Sequence, residues 1–142
     1  MKKFQLDSLT SFQENIFVFG IASSEPDYKL SWLLNTRLGT KLVKFNDFKY
    51  LNKNKLEEVY SIYCEIDAEN EMAVYLLVNK GIQTYFLEKL RNIDFLFVVK
   101  GQDIEKTTSK FTSRLKAIDG ISLVVLDNSA LKTSMDKLKK LS

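Results

Sequence analysis

Carboxylates in the middle of the chain come closest to a spacing that could do chemistry. Four of them alternate along one short stretch: Glu65, Asp67, Glu69 and Glu71. On an extended segment they would share one face, where carboxylate oxygens could attract a hard cation. The stretch lacks the central glycine and the fixed spacing of acids that mark a calcium-binding loop, so a solvated turn is the favoured interpretation.

The rest of the usual catalytic equipment is missing from the sequence. There is no histidine, which removes the commonest general base, metal ligand and activator of a nucleophile. A single cysteine, Cys64, leaves no Cys/His zinc site and no internal disulfide, and we expect it to be a small core residue. The five glycines are isolated, so no phosphate-binding loop is predicted. We therefore expect no catalytic, cofactor-binding or metal-ligating residue and no cofactor, with an enzyme that uses only carboxylates and lysines as the remaining alternative.

Two features are compatible with a nucleic-acid partner. Aromatic residues and lysines are interleaved in one stretch: Phe45, Phe48 and Tyr50 with Lys44 and Lys49. This pattern is typical of a platform on which bases stack, but an edge strand protected by charged residues has the same pattern and is favoured. From Lys100 onward there are nine Lys/Arg against five Asp/Glu, so this portion carries +4. An ordinary solvated helix is the simpler explanation of that excess.

The length and composition indicate a single α+β domain over residues 1–142, with 45% hydrophobic residues to build its core. The first residues include two lysines with no apolar stretch after them, and no run approaches the roughly 18 apolar residues of a membrane helix. One cysteine suits a reducing compartment. We therefore expect a cytoplasmic protein without a membrane partner. The abundance of Lys and Asn is compatible with an AT-rich bacterial genome.

The stretch from Ile16 to Gly39 is the one around which we expect the fold to be organised. Ile16–Ala22 is apolar and uncharged, which predicts a buried strand. Ser24 and Asp27 form a capping-box-like pair at the start of a helix, and Gly39 is a natural end to it. The core face of this helix is predicted from leucines at helical spacing: Leu30, Leu33, Leu34 and Leu38.

The remaining elements are read from alternation and helical spacing. Further strands are predicted at Lys3–Leu9, Lys41–Phe45, Val59–Ile66, Met72–Asn79, Ile93–Lys100 and Ile121–Leu126. We expect Ile121–Leu126 to be a buried strand. Val59–Ile66 and Met72–Asn79 should form an antiparallel hairpin. Asp47–Asn54 is expected to be turn-like, and Ile82–Asn92 to be irregular with one helical turn. Helices are expected at Ile104–Ile118, capped by Asp103, and at Asn128–Leu141.

These elements predict a twisted mixed sheet of about five to seven strands with two or three helices packed on it. Lys41–Phe45 would complete a strand–helix–strand unit with the first strand and the central helix. Helices on one face of the sheet are the favoured arrangement, and cover on both faces is the alternative. The C-terminal helix has a narrow apolar stripe, so we expect it to be the most dispensable element.

The central stretch also contains a family pattern. The matching residues are Gly20-Ile21, Asp27-Tyr28, Leu30, Trp32, Leu34-Asn35 and Leu38-Gly39. They resemble the opening of the IPExxxVDY family of small uncharacterised Bacteroidetes proteins. The signature that names this family falls on Leu87–Phe95, where Asp94 is retained while Glu88 and Lys89 replace its Pro and Glu. The resemblance implies a small cytoplasmic α+β protein and supplies no activity.

Two functional hypotheses of different classes follow. The first is a non-enzymatic binding or assembly module that acts through an unknown protein partner or through self-association. Its candidate interaction or structural-motif residues are Asp27, Tyr28, Trp32, Asn35, Arg37 and Asp94. Aromatic residues and Arg anchor many interfaces, although the Tyr28/Trp32 ridge could instead be buried under the irregular segment. The alternative hypothesis is an RNA-associated accessory protein that uses the basic C-terminal portion.

Asp94 has two competing interpretations. It lies between Ile93 and Phe95 at the start of an apolar run, where an unpaired carboxylate would be costly. The structural interpretation, which is favoured, has it accept hydrogen bonds from backbone N–H groups in the Glu88–Asn92 turn. The functional one places it in a polar pocket beside Tyr28, Trp32 and Asn35.

Overall fold

Strands make up the centre of the computed structural model, which describes residues 15–141. They are β1 (Asn15–Ala22), β2 (Val43–Lys44), β3 (Phe48–Leu51), β4 (Glu57–Tyr60), β5 (Ile62–Asp67), β6 (Met72–Val78), β7 (Phe95–Gly101) and β8 (Ser122–Leu126). Six form one sheet in the order β2-β5-β6-β7-β1-β8, while β3 and β4 pair separately. The predicted α+β class is confirmed. The ladders between these strands are antiparallel instead of mixed, and the strand predicted at Lys3–Leu9 lies outside the described residues.

Strand β7 lies between β6 and β1 and is buried along its whole length. Its side chains alternate between two cores, with Phe97 on one face of the sheet and Leu96 and Val98 on the other. A strand packed on both faces needs apolar residues at every position, which is why this run shows no alternation in the sequence.

Two helices cover one face of the sheet: α1 (Asp27–Leu38) and α2 (Glu105–Lys116). They bury apolar side chains against the strands, and the main contributors are Leu30, Leu34, Leu38, Phe111 and Leu115. The predicted end of α1 is confirmed, since Gly39 adopts a φ of 75° and its N–H donates to the carbonyl of Asn35. The predicted caps are wrong. Pro26 and Ile104 precede the two helices, and neither helix has a side-chain cap hydrogen bond at its start.

The opposite face is covered as well, so the expectation of helices on one face only is wrong. The cover consists of the β3–β4 hairpin, residues 80–93 and a C-terminal helical segment. That segment comprises α3 (Asn128–Leu131), a 3-10 turn (Lys132–Ser134) and α4 (Met135–Lys139). Tyr60, Phe86, Leu131 and Leu138 are buried there in a second core. The ammonium group of Lys100 on β7 donates to the carbonyl of Leu141 at 2.7 Å, which fixes the end of the segment to the sheet.

Three strand predictions needed correction. Phe48–Leu51 was expected to be turn-like, but it is β3, paired with β4. The predicted strand Val59–Ile66 is divided at Ser61, so β4 joins the separate hairpin while β5 forms the predicted antiparallel pair with β6. The predicted strand Lys41–Phe45 is reduced to the two residues of β2, which pairs with β5. Three strands separate β2 from β1 in the sheet, so the two strands of the predicted strand–helix–strand unit are not neighbours.

Asn79 holds residues 80–93 against the second core. It is fully buried, and its side-chain NH₂ group donates to the carbonyls of Ile93 at 2.8 Å and Leu90 at 3.1 Å. Its side-chain oxygen accepts from the N–H of Leu87 at 2.8 Å. One amide side chain therefore satisfies three backbone groups of this segment that no regular sheet or helix pairs. The helical turn expected within Ile82–Asn92 is not formed.

Candidate functional site

The outward face of α1 presents two large aromatic side chains to solvent. Tyr28 and Trp32 lie four residues apart, so they are neighbours on one side of the helix. Their side chains are 67% and 61% exposed. Residues 80–93 pack on the other face of the sheet, so they do not bury this pair. We call Tyr28 and Trp32 the α1 ridge.

Polar side chains fix both ends of the helix beneath this ridge. At the first turn, the Asp27 carboxylate accepts from the Ser61 hydroxyl at 3.2 Å, just before β5. Burial first, and Asp27 second, raise the pKa of the neighbouring Tyr63 hydroxyl. At the last turn, the Asn35 side-chain oxygen accepts from the N–H of Leu42 at 2.8 Å while its NH₂ group donates to the Leu42 carbonyl at 3.1 Å. Asp27 and Asn35 are therefore positioning residues.

Arg37 is exposed but does not belong to the ridge. It follows Trp32 by five positions, which places it about 140° further round an ideal helix. The residues predicted to form one surface therefore do not act together. Tyr28 and Trp32 are an exposed aromatic pair, Asn35 hydrogen-bonds within the protein, and Arg37 is a separate cation.

Asp94 is exposed, and its carboxylate accepts from the backbone N–H of Ser23 at 2.8 Å. It therefore stabilises the connection between β1 and α1. The favoured interpretation was right about a backbone N–H donor but wrong about where that donor lies, because the donor precedes α1 instead of lying in Glu88–Asn92. The hydrogen bonds of Asn35 are at the other end of the helix, so the polar pocket proposed for Asp94 and Asn35 is not formed among the described residues.

A buried ion pair that no pattern in the sequence predicts joins the β3–β4 hairpin to the C-terminal helical segment. The Lys137 ammonium lies 2.9 Å from a Glu58 carboxylate oxygen and 2.9 Å from the carbonyl of Phe86. Both side chains are less than a tenth exposed. Three aromatic rings surround the ammonium group, with the Phe86 ring closest at 4.7 Å. No spacing rule links positions 58 and 137, so no sequence signal could have paired them.

The Glu58 carboxylate has a partner for each oxygen. Tyr60 donates its hydroxyl at 2.5 Å to the oxygen that faces Lys137, and Asn52 donates to the other oxygen at 3.1 Å. Burial raises the pKa of Glu58, but the hydrogen bonds from Tyr60, Lys137 and Asn52 outweigh it and leave that pKa below its ordinary value. A pocket of about 250 Å³ opens beside the network. Glu58 and Lys137 both line this pocket, and their polar atoms are engaged with each other, with Tyr60, with Asn52 and with the Phe86 carbonyl.

The aromatic–lysine stretch does not form a stacking platform. Phe48 is half-buried and packs against the second core, and the Tyr50 hydroxyl donates to Asp136 at 2.6 Å. That hydrogen bond first, and burial second, raise the pKa of Tyr50 to about 12. Only Phe45 has about half of its surface exposed. This result removes one of the two observations behind an RNA partner.

Two of the four alternating carboxylates accept hydrogen bonds from the protein itself. Glu65 accepts from the N–H of Lys41 at 2.9 Å, and Asp67 accepts from the backbone and side chain of Asn70. Within residues 15–141, no group of three or more His, Cys, Asp or Glu side chains could hold a metal ion. Cys64 is buried, as predicted for a core residue, and burial raises the pKa of its thiol.

Comparison with known proteins identifies no family for this chain. No protein-family model matches the chain, and no curated protein is significantly similar to it. Among the described helices, none is long and apolar enough to cross a membrane.

Proposed function

We propose that this chain is a non-enzymatic binding module that engages a partner protein through the α1 ridge. The observation behind the proposal is the exposure of Tyr28 and Trp32 on a helix whose four leucines are buried or, for Leu33, half-buried. Trp and Tyr are the residue types that contribute most to binding when they become buried at an interface. The resemblance to the IPExxxVDY family, and the bacterial cytoplasmic location that it implies, remain part of this proposal.

The hydrogen bonds that hold α1 in place favour this role in protein binding. Asp27 and Asn35 attach the two ends of the helix to the sheet and to the loop before β2. A rigid helix loses little conformational entropy when it binds, so more of the contact energy appears as affinity. The ridge itself contains no charge, and the opposite charges of the nearest ion pair, Lys29 with Glu25, cancel each other. We therefore expect a partner with an apolar groove that accepts one face of a helix.

Trp32 is the only tryptophan in the chain, so its fluorescence reports on the ridge alone. The experiment compares wild type, the double variant Tyr28→Ala/Trp32→Ala and the control Lys29→Ala as baits in extracts of the native cell. A protein recovered by wild type and by the control, but not by the double variant, is then purified and titrated into wild type. Burial of the indole should shift its emission to shorter wavelength. Equal recovery by all three baits, or an unchanged emission at saturation, would contradict the proposal.

An RNA-associated role is the second candidate, because α2 bears a row of exposed cations. Lys106, Lys110 and Arg114 follow one another at intervals of one helical turn. Lys100 and Lys137, by contrast, are buried within the molecule. Titration of single-stranded RNA at two salt concentrations tests this role, since phosphate-driven binding weakens steeply with salt. Loss of that binding in Lys106→Glu/Lys110→Glu, but not in Lys139→Glu/Lys140→Glu, would favour it over protein binding.

A further inference from the structure

Strand β8 leaves one edge of the sheet open. It has five residues, Ser122–Leu126, and pairs with β1 alone among the described strands. Alternate N–H and C=O groups along its outer side point away from β1, and no strand within residues 15–141 pairs with them. Val124 and Val125 point to opposite faces of the sheet, and each is 50% exposed.

This edge has none of the features that usually prevent strands from pairing. β8 contains no charged residue, no proline and no bulge. The other edge of the sheet is different. There β2 has only two residues, one of which is Lys44, paired with Asp47 in a salt bridge of 3.2 Å. The sheet is thus protected at one end and open at the other.

We propose that β8 pairs with β8 of a second copy of this chain. The two strands would run antiparallel about a two-fold axis perpendicular to the sheet, and the two six-stranded sheets would become one continuous sheet. The proposal concerns a different surface from the α1 ridge and does not depend on it.

The sequence of β8 favours a second copy over an unrelated strand because it is self-complementary. With Val124 opposite its own counterpart, Leu123 faces Val125 and Ser122 faces Leu126 of the second copy, so side chains on the same face meet. All but one of these residues are apolar, and no like charges oppose each other.

The contact between two copies of β8 is small, so we expect the dimer to be weak. One pair of five-residue strands buries less than the ~1,200 Å² at the lower limit of standard stable interfaces. We therefore expect a dimer with a dissociation constant in the micromolar range, which forms and dissociates as the protein concentration changes.

Sedimentation equilibrium of the full chain from about 1 to about 500 µM tests the proposal. Wild type should change from monomer to dimer across this range. Val124→Lys should be monomeric throughout, because two ammonium groups would meet at the two-fold axis. Ile82→Lys is the matched control, since Ile82 is 75% exposed and lies outside the sheet, and it should dimerise like wild type. Far-UV circular dichroism would establish that each variant is folded.

Several outcomes would overturn the proposal. They are a wild-type chain that stays monomeric at about 500 µM, a folded Val124→Lys that still dimerises, and a dimer that is lost in Tyr28→Ala/Trp32→Ala instead. Trp32 emission separates this proposal from the proposed function. Dimerisation through β8 leaves the indole exposed and its emission unchanged, whereas association through the α1 ridge shifts the emission. Either proposal can therefore fail while the other stands.

Discussion

At the scale of single residues, the Glu58–Lys137 pair is the most demanding feature of the second core. Removing two charges from water is costly, and only close geometry with further hydrogen bonds offsets that cost. Here Tyr60, Asn52 and the Phe86 carbonyl supply those bonds. The pair joins positions that are distant in the sequence, so it specifies how the C-terminal helical segment packs on the β3–β4 hairpin.

Removing one partner of this pair should destabilise the protein strongly. Lys137→Met leaves the Glu58 carboxylate buried without its cation, so we expect a loss of about 3 kcal/mol in the free energy of unfolding, measured by urea denaturation. Lys139→Met, two residues away and exposed, should stay within about 0.5 kcal/mol of wild type. The double variant Glu58→Gln/Lys137→Met should recover part of the loss. A cost below about 1 kcal/mol for Lys137→Met would show that the pair is not formed in solution.

The lowered pKa of Glu58 predicts how stability depends on acid. In the unfolded chain this group titrates near its ordinary value of 4.5, and in the folded protein it titrates lower. Its contribution is therefore fully present above that ordinary value and is lost as the pH falls through the folded pKa. The stability difference between wild type and Glu58→Gln should shrink as the pH is lowered from about 6 to about 3, measured by urea denaturation at each pH. Glu57→Gln, which alters an exposed neighbour, is the control for loss of a surface charge and should stay within about 0.5 kcal/mol of wild type at pH 6.

Asn79 is a further buried residue that should be important for stability, because its side chain holds residues 80–93 against the second core. Asn79→Ala would leave the N–H of Leu87 and the carbonyl of Ile93 buried without their partner, while the Leu90 carbonyl would keep the N–H of Ile93. Each lost partner costs about 1–3 kcal/mol, so we expect at least about 2 kcal/mol in total by urea denaturation. Asn70→Ala, in the exposed turn before β6, is the matched control and should cost under about 1 kcal/mol. Equal effects of the two substitutions would contradict the role assigned to Asn79.

At the scale of elements, the sequence predicted the segments whose apolar pattern is dense. β7, the β5–β6 hairpin and α1 with its end at Gly39 were all read correctly. β3 was assigned to a turn because Lys49 and the following Asn52 gave its stretch a turn-like composition, although the alternation of aromatic residues and lysines there favoured an edge strand. The run Ile121–Leu126 was predicted to be buried, but β8 is an edge strand with two half-exposed valines, since β-branched composition does not distinguish an edge from a centre.

Local sequence patterns could not predict which segments cover the second face of the sheet or which side chains of the candidate site are exposed. Residues 80–93 have no periodicity, yet they bury Phe86 and Leu87. Tyr28 and Trp32 were recognised by type, but their exposure depended on which face of the sheet the irregular segment would cover. Lys137 was read as part of a solvated helix end, because its partner Glu58 is 79 positions away. Contacts of that range follow from topology, which periodicity does not encode.

The C-terminal helical segment is less dispensable than its narrow stripe suggested. Leu131, Leu138 and Leu141 are buried in the second core, and Lys137 and Lys100 join the segment to the hairpin and to β7. A chain that ends at Leu126 would expose that core to water, so we now expect it to be unfolded or insoluble. Expression of residues 1–126 beside full-length protein, followed by far-UV circular dichroism, tests this. A soluble 1–126 chain with native-like ellipticity would contradict it.

At the scale of the whole molecule, two cores share one sheet, so they should unfold together. Adjacent leucines on β6 test this directly. Leu76 and Leu77 are both fully buried, but Leu76 points into the core under α1 and α2 while Leu77 points into the second core. Each substitution to Ala should cost about 2–5 kcal/mol, because it removes the same side chain from a packed interior.

Both variants should also lower the midpoint of one and the same transition. The measurement is thermal unfolding followed by far-UV circular dichroism and by the near-UV signal of the tyrosines, which lie on both sides of the sheet. Trp32 fluorescence is a poor probe for this purpose, because the indole is already exposed in the folded protein. Coincident curves from the two signals are expected for a two-state domain. A second transition in Leu77→Ala alone, or a cost below about 1 kcal/mol for it, would mean that the second face is a loosely attached cover and not a core.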